Sequence, residues 1–527
     1  MAGQATRGPL TVAVATEGAP VAWQARCIEA LAAVPGVRVQ RWVTVPAQRP
    51  ASRPATAGAL APVAIPEPLR TIQAEDLGSI RGQGEGPSVG VLLNLTPRVM
   101  GHLAPWAAEV WHFGYGTELA RDPARVVLVD YVRGRRVTYA ALVSEPGGTV
   151  LRDGWLKTAF YWRGKQLERV LLDAARWPAS VAIGRTGGAG PAGAPDPAPR
   201  NGHVTARTRP DRAAGGDRVP GVMLGAAAAG RRMLTVADGL LRYSDWNVGL
   251  ARAPIEQLAD GSAEHEVLWL PTRRGKSAAD PFGIQRGGLL HLFFEDLDLR
   301  RGRGVISHAT IGPDDQVSEP ECVLDLGHHV SYPFVVERDG AVFMLPETGA
   351  AGRLVLYEAV DFPRRWRPAA TLVEDVPVID ASVVEYGGRW WMFGSRLDQG
   401  HNHNLFVWHA PELTGPWTPH AANPVKTDAH SARSAGTPFV AAGQLYRPSQ
   451  DSSHTYGRRV IVNRVDVLTP TSFSERAVNA VEQPPGSMYP DGLHTLSAVG
   501  NRTLIDGNRV HFVAASLRHK VADRLLR

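Results

Sequence analysis

A repeat constrains this chain more than any other feature. From about residue 279 onward, short apolar strands come in pairs around a turn that contains glycine, and the pair recurs. The first strands read ADPFGI (279–284), SYPFVV (331–336), IDASVV (379–384), GTPFVA (436–441) and, more weakly, DGLHTLSAV (491–499). Their partners read GGLLHLFFE (287–295), DGAVFMLPE (339–347), GGRWWMFGS (387–395), AGQLYRPSQ (442–450) and DGNRVHFVA (506–514). With the second turn residue as marker, the units fall at Gly288, Gly340, Gly388, Gly443 and Gly507, at intervals of 52, 48, 55 and 64. A period near fifty with strand–turn–strand texture is the mark of propeller blades, and glycine supplies the positive φ of a tight hairpin turn. A β-sandwich has strands of similar length but no reason to repeat in phase. A Trp-rich third strand recurs at 356–368 and 406–419. The leftover stretch 236–253, with Trp246 to Ala251 inside it, reads as the strand that closes the ring against the last blade. The expectation for 219–527 is an all-β five-bladed propeller.

The part before the repeats has another texture. Leu10–Ala15 is a short apolar run, and Trp23–Ala33 places Ile28, Leu31 and Ala32 at helical spacing. Val37–Val43 reads as a second strand, so the unit is βαβ with a parallel sheet. Val89–Leu95 and Val126–Tyr131 read as further strands, and Leu156–Ala175 as an amphipathic helix closing an α/β domain over 1–183. Residues 46–68, rich in Pro and Ala, read as a surface loop. Residues 184–218 are dominated by Gly, Ala, Pro and Arg with almost no large apolar side chains. Such a stretch cannot bury enough surface to offset its chain entropy and reads as a disordered linker.

Many separated motifs in the repeats resemble one family. ADPFGI, LFFE, VSYPFV, FMLPE, LYEAVDFPRRW, IDASVVEYGGRWWMFGS, ELTGPWTPH, ARSAG, YRPSQD and YG, between Ala279 and Glu475, resemble the N-terminal domain of plant glucosamine inositolphosphorylceramide transferases and of bacterial proteins that carry it. That domain is in turn similar to the five-bladed propeller glycosidases. In the plant proteins the sugar-transfer chemistry is assigned to a separate C-terminal domain, which has no counterpart among these motifs. The first domain looks like a degenerate folate-dependent formyltransferase, on WQARCIEALAAVPGV, VLLNLTPRV and VWHFGYG. The resemblance implies an Asn-x-His pair and a later Asp. Here His112 is kept, Val110 stands where the Asn belongs, and Ser144-Glu145-Pro146 stands near the Asp. Valine cannot polarise a formyl carbonyl.

Inner strands of a propeller line its axis, so residues opening each unit converge at one mouth. A pair of carboxyls there can serve as acid and base on a glycosidic bond. Asp280 opens unit one, where the propeller glycosidases similarly place a base or nucleophile; otherwise it caps the turn before Pro281. Asp380 opens unit three in an apolar strand, where a lone charge is costly, so it faces the funnel or bonds local amides. Glu347 ends the second strand of unit two and is the candidate general acid, since an apolar wall raises a carboxyl pKa. Glu295 holds the equivalent end in unit one. Arg433, Arg447, Gln450 and Asp451 suit hydroxyl or phosphate recognition, and His329, Ser331 and Tyr332 join as candidate substrate contacts. Each can equally be an ordinary polar rim residue. His401 and His403 read as a polar hairpin loop, and no metal or cofactor is expected. Trp366, Trp390, Trp391 and Trp417 read as packing between blades.

The bulk numbers narrow the rest. Lys+Arg and Asp+Glu number 57 and 51, with no basic block alternating with aromatics, so nucleic acid is not an expected partner. Two cysteines, Cys27 and Cys322, build no disulfide framework and suit a reducing compartment. No apolar run approaches the length of a membrane span, and the N-terminus reads as a strand rather than a signal peptide, so the expected location is cytoplasmic. The favoured reading is a glycoside hydrolase-like or sugar-transferring propeller in glycan or glycolipid metabolism. Its alternative is a non-catalytic glycan-binding module that supports a partner glycosyltransferase. Formyl or acyl transfer at His112 ranks third.

Overall fold

A computed structural model describes residues 9–17, 19–44, 71–73, 89–96, 104–158, 163–186, 227, 229, 230, 233, 241–263 and 266–512. The chain forms two compact units, the first holding 9–186 of these and the second 241–512. The expected loop at 46–68 lies outside the described residues. So does the expected linker at 184–218, apart from Gly184, Arg185 and Thr186, which end a helix.

In the first unit, strand β1 (Leu10–Glu17) leads through helix α1 (Ala22–Ala32) to β2 (Val37–Thr44), which pairs with β1 in parallel from Leu10↔Val37 to Glu17↔Thr44. The βαβ expectation holds. The strands β3 (Thr71–Gln73), β4 (Val89–Asn94), β5 (Ala107–Tyr115), β6 (Val137–Glu145) and β7 (Thr149–Lys157) complete a sheet of order β3-β2-β1-β4-β5-β6-β7. The expected parallel sheet is in fact mixed, because β5, β6 and β7 run antiparallel. The Gly147-Gly148 turn, with φ of 114° and 63°, folds β6 straight back into β7, and a parallel connection has no room for so short a link. Val126–Tyr131 is also corrected: it lies in helix α2 (Pro123–Arg133). Asp122 caps that helix by accepting the Arg125 N–H at 3.1 Å, Pro123 opens it and Gly134 closes it at φ 71°. A short apolar run does not distinguish strand from helix by period, and here only Val127, Asp130 and Tyr131 are buried. Leu156 ends β7 rather than starting a helix. Helices α3 (Arg163–Ala174) and α4 (Trp177–Thr186) follow it. Val12, Ile28, Leu31, Val91, Trp111, Leu142, Val170 and Trp177 share one core, which joins α1, α3 and α4 to the sheet.

The second unit consists of five antiparallel sheets. Its chain enters at β8 (Arg242–Ala251), helix α5 (Ile255–Asp260) and β9 (Val267–Trp269). Blade one is β10 (Lys276–Arg286), β11 (Leu289–Asp298), β12 (Arg303–Ile311) and β13 (Glu321–Leu324). Blade two is β14 (Ser331–Arg338), β15 (Ala341–Glu347), β16 (Leu354–Asp361) and β17 (Arg365–Val373). Blade three is β18 (Val378–Tyr386), β19 (Arg389–Arg396), β20 (Asn404–Ala410) and β21 (Thr418–Pro419), with β22 (Lys426–Thr427) also paired to β20. Blade four is β23 (Phe439–Ala441), β24 (Gln444–Gln450), β25 (Val460–Leu468) and β26 (Phe473–Val481). Blade five joins β27 (Leu496–Val499) and β28 (Arg502–Phe512) to β8 and β9. β28 pairs with β8 from Thr503↔Ala251 to Phe512↔Arg242, so the first strand of the unit zips onto the last, as the leftover sequence implied.

The first four turns are two-residue loops with both residues at positive φ: Gly287-Gly288, Asp339-Gly340, Gly387-Gly388 and Ala442-Gly443. That twist matches the strands it joins. The fifth marker is corrected. The turn is at Gly500 (φ 60°), whereas Gly507 sits inside β28 opposite Asn247. A Cβ on Gly507 would lie 2.5 Å from the Trp269 ring and 2.6 Å from Tyr489, so glycine is there for close packing. Apolar clusters fill the seams between neighbouring blades. Trp366, Trp390, Trp391 and Trp417 belong to those seams, as expected.

Candidate active site at the propeller axis

Blades one, two and three open with the same irregularity. The register slips between Ala279 and Phe282, Ser331 and Phe334, and Ile379 and Ser382. The residue after each slip's start is left-handed although it is not glycine: Asp280 at φ 51°, Tyr332 at 46° and Asp380 at 50°. Such a conformation costs on the order of 1 kcal/mol or more per residue. A bulge re-aims a side chain off the pleat, and here it turns Asp280 to His494 and Thr495, Tyr332 to Ser382 and Gly436, and Asp380 to Arg433. The second strands supply another matched set, since Glu295 pairs with Ala279, Glu347 with Ser331 and Ser395 with Ile379.

Asp506, fully buried on β28, anchors the centre. Its carboxylate accepts the backbone N–H groups of His494 (2.8 Å), Thr495 (3.0 Å) and Asp280 (3.2 Å), and the Nδ1 of His494 at 2.5 Å. That bond fixes the imidazole with Nε2 directed at Asp280 Oδ1, 3.7 Å away, and the Thr495 hydroxyl donates to the same oxygen at 3.2 Å. The Trp246 ring lies flat on His494, with centroids 4.0 Å apart at 19°. Across the pit, Arg433 is ion-paired to Asp380 and donates to Asn402 at 3.1 Å. The Asp380 N–H donates to Glu347 at 3.3 Å. Tyr456, an exposed residue, sets its ring edge-on to Trp246 and His494 and beneath the Arg433 guanidinium, 5.0 Å away. A Cβ on Gly457 would strike both Trp246 (2.8 Å) and His494 (2.9 Å), so glycine is required beside this wall.

Acid crowds the pit, and its titration reflects that. Burial above all raises Asp280 to about 6; Asp380 and Asp506 push the same way and His494 opposes them. Burial, then the Asp280 charge, raises Glu295 to about 8. Glu347 is pushed well above the carboxylate range by burial and by Asp380. Burial disfavours a charged His494, but Asp506 and Asp280 outweigh it and lift the imidazole to about 9. The pit therefore offers a carboxyl that keeps its proton, other carboxylates beside it, and fixed cations. That is the equipment of acid–base chemistry. Asp280, His494 and Asp506 could each turn one ligand atom to a cation, all within 4.8 Å of one another. With Asp506 already accepting four N–H groups, that set suits a relay better than a metal.

Asp280, Glu295, Glu347 and Asp380 thus lie in one centre, and Arg433, expected with Arg447, Gln450 and Asp451, joins them through Asp380. His329 sits at its edge, with Nε2 3.5 Å from Glu295 and Nδ1 accepting the Gly304 N–H. Ser331 is buried beside Glu347 in the register. The Tyr332 hydroxyl, fully buried, accepts the Gly436 N–H at 2.6 Å and meets Ser382 at 2.8 Å, which makes it a tie between blades. Gly436 has to be glycine, because a Cβ there would lie 1.9 Å from the Leu496 carbonyl oxygen. Three residues of unit four do not join the pit through any hydrogen bond or ion pair to its acids among the described residues. Arg447 clamps Glu475 and the Ser431 and Ala432 carbonyls. Gln450 donates to Ser434, and Asp451 is tied to Ser453 and Arg459. Sequence reasoning missed His494, Thr495, Asp506, Trp246 and Tyr456. In the first unit His112 is buried with Nε2 3.6 Å from Glu145, its pKa lowered by burial and by Arg121.

Residues 272–487 match the family model described as the N-terminal part of glucosamine inositolphosphorylceramide transferase 1. Glucosamine inositolphosphorylceramide transferase 1 of Oryza sativa subsp. japonica is 38% identical over 209 residues, covering 38% of this chain and 28% of that protein. The Arabidopsis thaliana protein of the same name is 34% identical over 203 residues, covering 37% and 26%. The chain thus spans under a third of the length of these relatives. Among solved structures, a thermostable family-43 glycoside hydrolase aligns over 47% of this chain and 92% of its own, at 12% identity and a TM-score of 0.34. A family 117 glycoside hydrolase of Zobellia galactanivorans aligns over 51% and 91%, at 12% identity and a TM-score of 0.33. The second unit is a five-bladed propeller, and at residues 272–487 it matches the N-terminal domain of the glucosamine inositolphosphorylceramide transferases.

Proposed function

We propose that the axial centre breaks or transfers a glycosidic bond by acid–base catalysis. Glu347 protonates the departing oxygen. Asp280, kept beside a protonated His494, acts as base or nucleophile, and the Asp380–Arg433 pair shapes the field between them. One observation carries this reading: acids from separate blades share one buried pit in which Glu347 is held protonated while Asp280 faces a cation. The relatives' names speak of glucosamine and of inositolphosphorylceramide, which supports a glycan or glycolipid substrate. Because Asp280, Asp380 and Asp506 are all less than a tenth exposed, a second reading stands beside it. In that reading the propeller holds a glycan without turnover and presents it to a partner glycosyltransferase.

The test is to incubate the full chain with aryl glycosides and with nucleotide sugars, beside Asp280→Asn and Glu347→Gln. Turnover that both substitutions abolish supports catalysis. Saturable glycan binding without any turnover gives the second reading instead, and turnover untouched by either substitution removes the axial centre from both.

A further inference from the structure

A cavity of about 200 Å³ is lined by residues of blade five and blade one. Asp245, Trp246 and Asn247 of β8 line one wall, and Arg273, Lys276 and Tyr489 line the others. In size it equals about six or seven waters, room for one sugar ring and little more. Its chemistry is mixed in a particular way. Asn247 gives both of its amide protons away, to the Leu270 carbonyl at 2.8 Å and to the Tyr489 hydroxyl at 3.0 Å. Having accepted there, the Tyr489 hydroxyl keeps its own proton to donate. Asp245 offers a carboxylate as acceptor. Arg273 and Lys276 look like an anion site, yet both are engaged by the buried Asp296, at 2.9 and 3.5 Å. With Asp296 counted beside Asp245 and Glu319, the acids around the crevice exceed Arg273 and Lys276 by one, which disfavours an anion. A hydroxyl donor and a carboxylate acceptor, with no surplus of positive charge, suit an uncharged polyol.

We propose that this crevice is a second carbohydrate subsite, which takes one uncharged pyranose ring. It stands independently of turnover at the axis. Trp246 belongs to the crevice lining, while its ring lies on His494 in the axial wall.

The experiment titrates the full chain with the neutral methyl pyranosides of glucose, galactose, mannose and xylose and with their disaccharides. Binding is read by calorimetry and by tryptophan fluorescence. The variants are Tyr489→Phe, which removes the hydroxyl that would donate to the ligand and also the acceptor of one Asn247 amide proton, and Asp245→Asn, which removes the charge of the acceptor. Thermal melts check their folding, and Glu347→Gln serves as the axial control. The expected result is binding that Tyr489→Phe and Asp245→Asn each weaken about tenfold, that Glu347→Gln leaves in place, and that added salt does not change. Three outcomes overturn the proposal: no neutral pyranoside binds, binding is lost in Glu347→Gln but kept in Tyr489→Phe, or glucose 6-phosphate, titrated alongside, is the one sugar that binds and salt displaces it. Because the readout is binding, a failed turnover assay at the axis leaves this test standing.

Discussion

Two clusters of buried charge lie in the same propeller and follow opposite rules. In blade four, Arg447 meets Glu475 through two nitrogens at 2.9 and 2.5 Å and caps the Ser431 and Ala432 carbonyls. Lys426 adds a third bond to Glu475 at 2.8 Å, and Asp428 is held by His430 and Ser431. Each acid there has cations and donors to match. Burial alone would raise Glu475 and Asp428, yet their partners carry both below the ordinary range. At the axis, Asp280, Glu295, Glu347, Asp380 and Asp506 divide Arg433 and His494 among them, and the surplus acid holds on to protons. Matched charge makes a scaffold. Unmatched charge of one sign makes reactive groups, kept in place by the scaffold around them.

The sharpest way to break that contrast is to cut each cluster once. Arg447→Ala strands Glu475 in the interior, so unfolding by denaturant should show a loss of about 3–5 kcal/mol. Glu347→Gln at the axis should leave stability within about 1 kcal/mol of the parent or raise it, since a proton already sits there. On the proposed chemistry, the same substitution should lower glycoside turnover by about 100-fold or more. If Glu347→Gln destabilises as much as Arg447→Ala does, the axis is a scaffold as well and the distinction fails.

The repeat made the blades legible, because a period near fifty survives variation in every strand. It also made Asp280, Asp380, Glu347 and Glu295 legible, since equivalent places in successive units must converge. Arg447 was misplaced by the same logic: it lies in the right segment, but its strand turns it to the blade's interior, where Glu475 waits from β26, 28 residues on. Asp506 was hidden by its neighbours. Asp-Gly-Asn reads as a turn, and only the observed register reveals a strand in which Gly507 admits the Trp269 ring and Asp506 reaches the axis. His494 and Trp246 meet by closure of the ring, from positions about 250 residues apart in sequence. No local pattern carries that contact. In the first unit Val126–Tyr131 misled because a continuous apolar run has no period, while the signals that decided it, Asp122 and Pro123 before and Gly134 after, are flanking ones.

Acidity sharpens the comparison further, with a smaller effect. Unfolded Asp and Glu titrate near 4. Asp280, at about 6, and Glu295, at about 8, keep protons in the folded chain that the unfolded chain has already released, and Glu347 acts in the same direction. Their contribution is therefore greatest at low pH and is lost as pH rises toward 8. His494, at about 9 against about 6.5 unfolded, extends that loss to higher pH. Glu475 has the opposite sign: its lowered pKa stabilises above about pH 4 and fails as acid is added. Replacing Asp280, Glu295 and Glu347 together by their amides should flatten the fall in stability between pH 5 and 8, on the order of 1–3 kcal/mol. Denaturation midpoints across that range would show it, and an unchanged slope would mean that the pit does not hold its protons. For turnover, the same shifts predict a bell: activity falls as Asp280 gains a proton below about 6 and falls again when Glu347 loses its own.

The smallest expected effect tests the border between the two kinds of region. Tyr456 is 47% exposed as a residue, its ring stands edge-on to Trp246 and His494 and lies under Arg433, and it belongs to none of the apolar clusters in the seams between blades among the described residues. Such a ring contributes mainly to whatever occupies the mouth, at about 1 kcal/mol from stacking and from its contact with the guanidinium. Tyr456→Ala should thus weaken glycan binding about fivefold while the melting temperature stays where it was. Were the melt to drop by several degrees with binding intact, Tyr456 would belong with Arg447 as scaffold, and the functional surface would begin one layer further from the axis than its aromatic wall suggests.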